Sequence, residues 1–186
     1  MLFSKKSGKK EKILGYYILV FLVLCIAGLL SSILVNDKLI PFLFIFSIIL
    51  SMSIIFYSFY IFKTSNVIKE NLDKNSTSVF TFKAGMVVLI TLITIPGTIK
   101  GIPLAYHLFC AREGSIKVSV EKKADYNKRY CRGGLYLNEY HYFMNNMVCG
   151  IQKTDFYDIK QNDQLILYGK KSLAGFTIKK YRVKKR

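Results

Sequence analysis

Two histidines, four cysteines and a Gly-Lys-Lys-Ser stretch are the residues of this 186-residue chain whose types and spacing invite chemistry. His107 precedes Cys110 by three positions and His141 lies between Cys131 and Cys149, so a zinc site is the first chemistry to weigh. The spacings match no Cys-x-x-Cys or comparable ligand pair, and no metal is expected. Nucleophilic catalysis would need Ser172 or a cysteine to meet His141 in the fold, which no local pattern arranges. Glu121, Asp125, Glu139, Asp155, Asp158 and Asp163 are scattered, without the paired spacing that hydrolysis requires. Gly169, Lys170, Lys171 and Ser172 resemble the end of a phosphate-binding loop, but the first glycine and the following helix are missing, so they read as a hairpin turn. No cofactor pattern is present, and the chain is expected not to be an enzyme.

Charge interleaved with aromatic rings is the stronger signal. The chain has 28 Lys and Arg against 11 Asp and Glu, a formal net charge of +17, and more than half of the excess falls after Cys110. Lys122, Lys123, Lys128, Arg129 and Arg132 alternate with Tyr130, Tyr136, Tyr140 and Tyr142, and Lys179, Lys180 and Arg182 surround Tyr181. On a soluble protein this composition would suit single-stranded nucleic acid, with rings for stacking and cations for phosphates. Beside a membrane and outside the cytoplasm, nucleic acid is not an expected partner. Anionic lipid headgroups or an acidic envelope protein are then the polyanions at hand.

The elements that must position these residues are of two kinds. Hydrophobic residues make up 52% of the chain, so apolar and basic character must be segregated along it. From Ile13 to Val35 about 23 residues pass without a charge, roughly 34 Å of helix and more than a hydrocarbon core. The run is too long for a signal sequence and no small-x-small cleavage pattern follows it. A second uncharged run, residues 39–62, begins after Asn36, Asp37 and Lys38, which predicts a tight helical hairpin. A third, residues 79–109, contains Lys83, whose stem can lie in lipid while its ammonium reaches the headgroups. Pro96, Gly97, Gly101 and Pro103 are expected to kink it. Gly97 and Gly101 form a small-xxx-small pair expected to pack within the chain. Lys100 is the candidate functional residue inside the membrane, and with Thr91, Thr94, Thr98, Ser47, Ser51, Ser53 and Ser58 it gives the alternative reading of a transport or channel component.

After Cys110 the periodicity changes from helical to alternating: Ile116, Val118 and Val120 alternate with Lys117, Ser119 and Glu121. Residues 135–143, 147–151, 164–168 and 176–183 are further strand candidates, with Gly133–Gly134, Asn145–Asn146 and Asn162–Asp163 as turns, and 154–160 as one turn of helix. The expected fold is an α+β membrane protein: a basic leader over residues 1–12, three transmembrane helices within 13–109, and a small antiparallel β-rich domain, barrel-like or sandwich-like, over 110–186. A domain this small gains from a staple. Cys131 and Cys149 are the candidate disulfide, worth about 3 kcal/mol in the chain-entropy model.

Short-loop charges set the orientation. The lysine-rich leader and the basic second loop fall on one side if there are three spans, placing the N-terminus in the cytoplasm and the C-terminal domain outside it. The expectation is therefore a multi-pass protein of the cell (inner or plasma) membrane, acting by binding as an accessory, immunity-like or exclusion-type envelope factor. An oligomer is compatible with this reading but nothing in the sequence requires one.

Overall fold

The computed structural model describes residues 9–64, 79–127, 129, 131–142 and 145–184. The basic residues of the leader up to Gly8, the second loop from Ser65 to Ser78, Lys128, Tyr130, Phe143 and the final Lys185 and Arg186 lie outside the described residues. The chain divides into two compact units, one from Met1–Leu30 and Phe42–Ile102, the other from Ser31–Pro41 and Pro103–Arg186.

The first unit is helical. Helix α1 spans Lys9–Leu30, α2 Ile40–Thr64 and α3 Val79–Pro96; a π turn, Gly97–Gly101, then leads into α4, Ile102–Cys110, which belongs to the second unit from Pro103 on. Three stretches, Lys9–Leu30, Asp37–Thr64 and Val79–Cys110, are long and apolar enough to cross a membrane by length and composition. Many of their large apolar side chains face outward, among them Phe42, Phe56 and Leu92. Leu14 of α1 packs with Ile54, Ile55 and Ile61 of α2 and Ile90 of α3. Phe21 and Cys25 of α1 pack with Ile93.

Where a kink is expected, the helix has a widened turn. Ile102 N–H reaches back to the Gly97 carbonyl, a five-residue hydrogen bond, between two prolines that donate none. The glycines permit a close approach: a Cβ on Gly28 would lie 2.7 Å from Gly101 N, and one on Gly101 would overlap the Leu24 backbone. The small-xxx-small pair is thus spent on α1 within the chain.

The second unit is a single antiparallel sheet of half-barrel form, in the order β1-β6-β5-β2-β3-β4. Strand β2 spans Arg112–Lys123, β3 Leu135–Leu137, β4 Met147–Val148, β5 Gln164–Lys171 and β6 Gly175–Lys184, with a short helix α5 at Lys153–Asp158. The alternation over residues 116–120 is the middle of β2, and the helical turn expected at 154–160 is α5. The candidate strand over 135–143 shortens to three residues because the chain turns after Asn138: Tyr140 N–H bonds the Leu137 carbonyl at 3.4 Å, and the Glu139 carboxylate takes the Ser119 N–H. Helix α5 is held by Phe156, which is buried, and by Tyr181, whose hydroxyl donates to Asp155 at 2.8 Å and accepts from Gln152 N–H at 2.9 Å.

One strand comes from an unexpected place. The first helix stops at Leu30 rather than Val35, and Leu34–Val35 form β1, antiparallel to β6 at Leu34↔Phe176 and Val35↔Gly175. The run read as the end of a span therefore supplies an edge of the sheet. A strand there satisfies backbone groups that a helix end would leave open, and it buries Ile33, Leu34 and Val35. Leu34 joins Val118, Val120, Leu135, Leu137, Val148, Ile151, Phe156, Ile159, Leu165, Leu167 and Phe176 in one core. Fully burying such a side chain contributes about 1.5–3 kcal/mol. Gly175 is required at the crossing, since a Cβ there would overlap the Leu34 carbonyl.

The opposite edge reaches the same strand through a side chain. Asn145, two residues before β4 and 3% exposed, accepts from Val35 N–H at 2.6 Å and donates to Val35 C=O at 2.7 Å. Its amide thereby imitates one rung of a ladder between the two edges. Asp37 secures the arrangement: its carboxylate accepts from Asn145 Nδ2 at 3.0 Å and from His141 N–H at 2.8 Å.

Candidate functional site

The outward face of β2, β5 and β6 follows from the two-residue repeat. Leu165, Leu167, Val118 and Val120 point into the core, so the intervening residues of each strand point away from it. Register places Lys117 beside Ile166 and Ile166 beside Arg182; Ser115 beside Tyr168 and Tyr168 beside Lys180; Gln164 beside Lys184. Lys117, Lys180, Arg182 and Lys184 are exposed, around a Tyr168 ring that is 40% exposed. Neighbouring strands are about 4.8 Å apart and alternate residues about 7 Å apart, so this is a lattice of cations around one ring. Further along the same face Lys170 stands beside Glu113 and Thr177.

The carboxylates that approach the lattice are engaged. Glu113 accepts from Lys179 Nζ at 2.6 Å, a hydrogen bond that holds its carboxyl below the usual range. Glu139 accepts from Ser119 N–H through both oxygens, at 2.8 and 2.9 Å.

The sequence candidates divide accordingly. Lys180 and Arg182 lie in the lattice, whereas Lys179 is tied to Glu113. Lys122 lies over the Tyr136 ring at 5.0 Å and 3.6 Å from Glu121. Lys123 donates to the Tyr157 carbonyl at 3.0 Å and lies over Phe156 at 5.2 Å. Arg132 lies over Tyr126 at 5.9 Å, and Arg129 is exposed in the turn after β2. In this region rings and cations are interleaved because they hold one another. Lys128 lies outside the described residues. Lys117 was missed although its strand pattern marked it as outward-facing, and Lys170 was missed because its stretch was read as a turn; β5 in fact continues to Lys171.

The other candidates have structural surroundings. Cys131 and Cys149 stand at disulfide distance with Cα atoms 5.1 Å apart. Lys100 is half-buried in the π turn, its Cβ packed against the Gly28 position. The hydroxyls proposed for a transport path mostly bond their own helices: Ser47 to Phe44 C=O, Ser53 to Ile49, Ser58 to Ile54, Thr91 to Val87 and Thr98 to Thr94. Ser51 Oγ is buried without a hydrogen-bond partner among the described residues. Ser172 does meet a histidine, but it is His107 and not His141. His107 Nδ1 is 2.8 Å from Ser172 Oγ and its Nε2 is 3.0 Å from Thr177 Oγ1, with the ring 3% exposed. Both ring nitrogens are satisfied by hydroxyls, which fastens α4 to the β5–β6 turn.

Tyr140, packed against the core, has its hydroxyl pushed up to about 12 by burial, then by the charges of Asp37 and Glu139. The folded state holds this proton more tightly than the unfolded chain, whose tyrosines titrate near 10. Its contribution is complete below about pH 10 and disappears as pH rises through about 12. Urea midpoints should therefore fall above about pH 10, and Tyr140→Phe should flatten part of that fall. An alkaline profile unchanged by Tyr140→Phe would refute the assignment. No family model, characterised protein or solved structure matches the chain.

Proposed function

We propose that this is a multi-pass protein of the cell membrane, the inner membrane where there are two, with a cytoplasmic N-terminus. Its non-enzymatic, extracytoplasmic β domain binds an anionic partner, an acidic envelope protein being the favoured one. The observation that carries the reading is the lattice of Lys117, Lys180, Arg182 and Lys184 around Tyr168. Three helices of spanning length and polarity support the membrane location. Because β1 lies between α1 and α2 yet pairs with β6, the first loop and the C-terminal domain belong on one side of the bilayer, which agrees with three crossings. The lysine-rich leader argues that the other side is the cytoplasm.

The test uses the full chain in zwitterionic nanodiscs, with polyglutamate as the acidic probe. Reversing Lys117, Lys180 and Arg182 together to Glu should weaken binding roughly a hundredfold or more, since each near-surface cation is worth about 1 kcal/mol. Reversing Lys122 and Lys123, which are held by their own rings, should change it far less. Equal effects from the two sets would sink the proposal. Alkaline phosphatase fused to the C-terminus should be active, and an inactive fusion would overturn the orientation.

A further inference from the structure

The β5–β6 turn is tied to the ends of two apolar helices. On one side, Ser172 and Thr177 bond His107 in α4, which ends at Cys110. On the other, Asn36, four residues before α2 begins at Ile40, donates through its backbone N–H to Ala174 C=O at 3.0 Å. Its side-chain amide donates to Leu173 C=O at 3.3 Å. The turn is therefore held at the level where apolar helix gives way to polar chain. At its apex Leu173 is 79% exposed, and Leu108 and Phe109 in the last turn of α4 are 72% and 89% exposed. Lys38, Arg112, Lys170 and Lys171 are exposed around this level. The nearby carboxylates are occupied, Asp37 by Asn145 and His141, and Glu113 by Lys179.

We infer that this end of the β domain is an interfacial lipid anchor. Leu173 seats at the boundary of headgroups and acyl chains, and Lys38, Arg112, Lys170 and Lys171 take the phosphates of anionic phospholipids. An apolar apex flanked by cations matches the chemistry of that boundary, where apolar groups partition inward and lysines pair with headgroup charge. The inference rests on the membrane reading of the helices and is independent of the partner lattice on the sheet face.

The experiment uses full-length protein in nanodiscs, with Cys25→Ala and Cys110→Ser as background and a fluorophore attached at Leu173→Cys. Asn162→Cys, in the turn before β5, and Phe46→Cys, within α2, serve as comparison positions. Headgroup-spin-labelled lipid should quench position 173 strongly and position 162 hardly at all, while tail-spin-labelled lipid quenches position 46. If 173 behaves like 162 while 46 is quenched, the anchor is refuted and the spanning helices stand. If 46 is not quenched either, the membrane reading fails and takes the anchor with it. At equal mole fraction, labelled anionic lipid should quench 173 more than labelled zwitterionic lipid. That preference should fall about fivefold for each of Lys170→Gln and Lys171→Gln, the factor one near-surface cation carries. Equal quenching by both lipids in the unsubstituted chain would overturn the assignment of anionic headgroups.

Discussion

Replacing Asn145 with leucine will destabilise the β domain by about 3–5 kcal/mol, because the Val35 N–H and C=O then lose their partners in a buried site. A leucine fills similar volume, so the loss reports the two hydrogen bonds and not a cavity. Asn145→Asp should be nearly as damaging, since it keeps an acceptor for Val35 N–H but sets a carboxylate against Val35 C=O and Asp37. Val35→Ala should cost less, because the backbone rung survives. Urea unfolding of the full chain in detergent, followed by tyrosine fluorescence, measures all three. A leucine variant as stable as the parent would show that the two sheet edges do not depend on this amide.

Breaking the Cys131–Cys149 pair is the second large effect. The two residues are 18 positions apart, and closing a loop of that length is worth about 3 kcal/mol in the chain-entropy account. The loop holds β3 and β4, two short strands with little sheet of their own, so the bridge limits how far that edge can open. Cys131→Ala with Cys149→Ala should lower the urea midpoint of the β domain accordingly, and reductant should do the same to the parent but not to the double variant. Alkylation of protein from cells, with and without reduction, should find the pair protected. Two freely alkylated thiols in freshly trapped cells would remove both the staple and the extracytoplasmic assignment on which its formation depends.

The three apolar stretches, the alternating core of β2 and the cysteine pair were legible in the sequence because each rests on local physics: hydropathy over a bilayer-length window, a two-residue repeat, and the scarcity of cysteine. Strand β1 was not legible. Ile33, Leu34 and Val35 are as apolar as the residues before them, so hydropathy continues the helix where pairing with β6 in fact ends it. Asn145 and Asp37 were likewise read as turn and loop residues, because their partners lie more than 100 positions away. For the candidate face, charge and rings singled out Lys180 and Arg182, which register sets beside Tyr168 and Ile166, together with cations whose partners lie elsewhere. Lys122, Lys123 and Arg132 carry the pattern most visibly, yet they are occupied by Tyr136, Phe156 and Tyr126. Lys117 and Lys170 emerge only when register places them beside β5 and β2.

The pairing of β1 with β6 sets the timetable of maturation. The two strands are far apart in the chain, with every other strand of the sheet between them, so the sheet cannot complete until β6 has been synthesised. Until then, Leu34 and Val35 wait as an unsatisfied ribbon, open to chaperones or to the wrong strand. A chain cut short before Gly175 would keep its helices yet carry this ribbon permanently, which gives quality-control proteases a ready mark by which to tell finished molecules from unfinished ones.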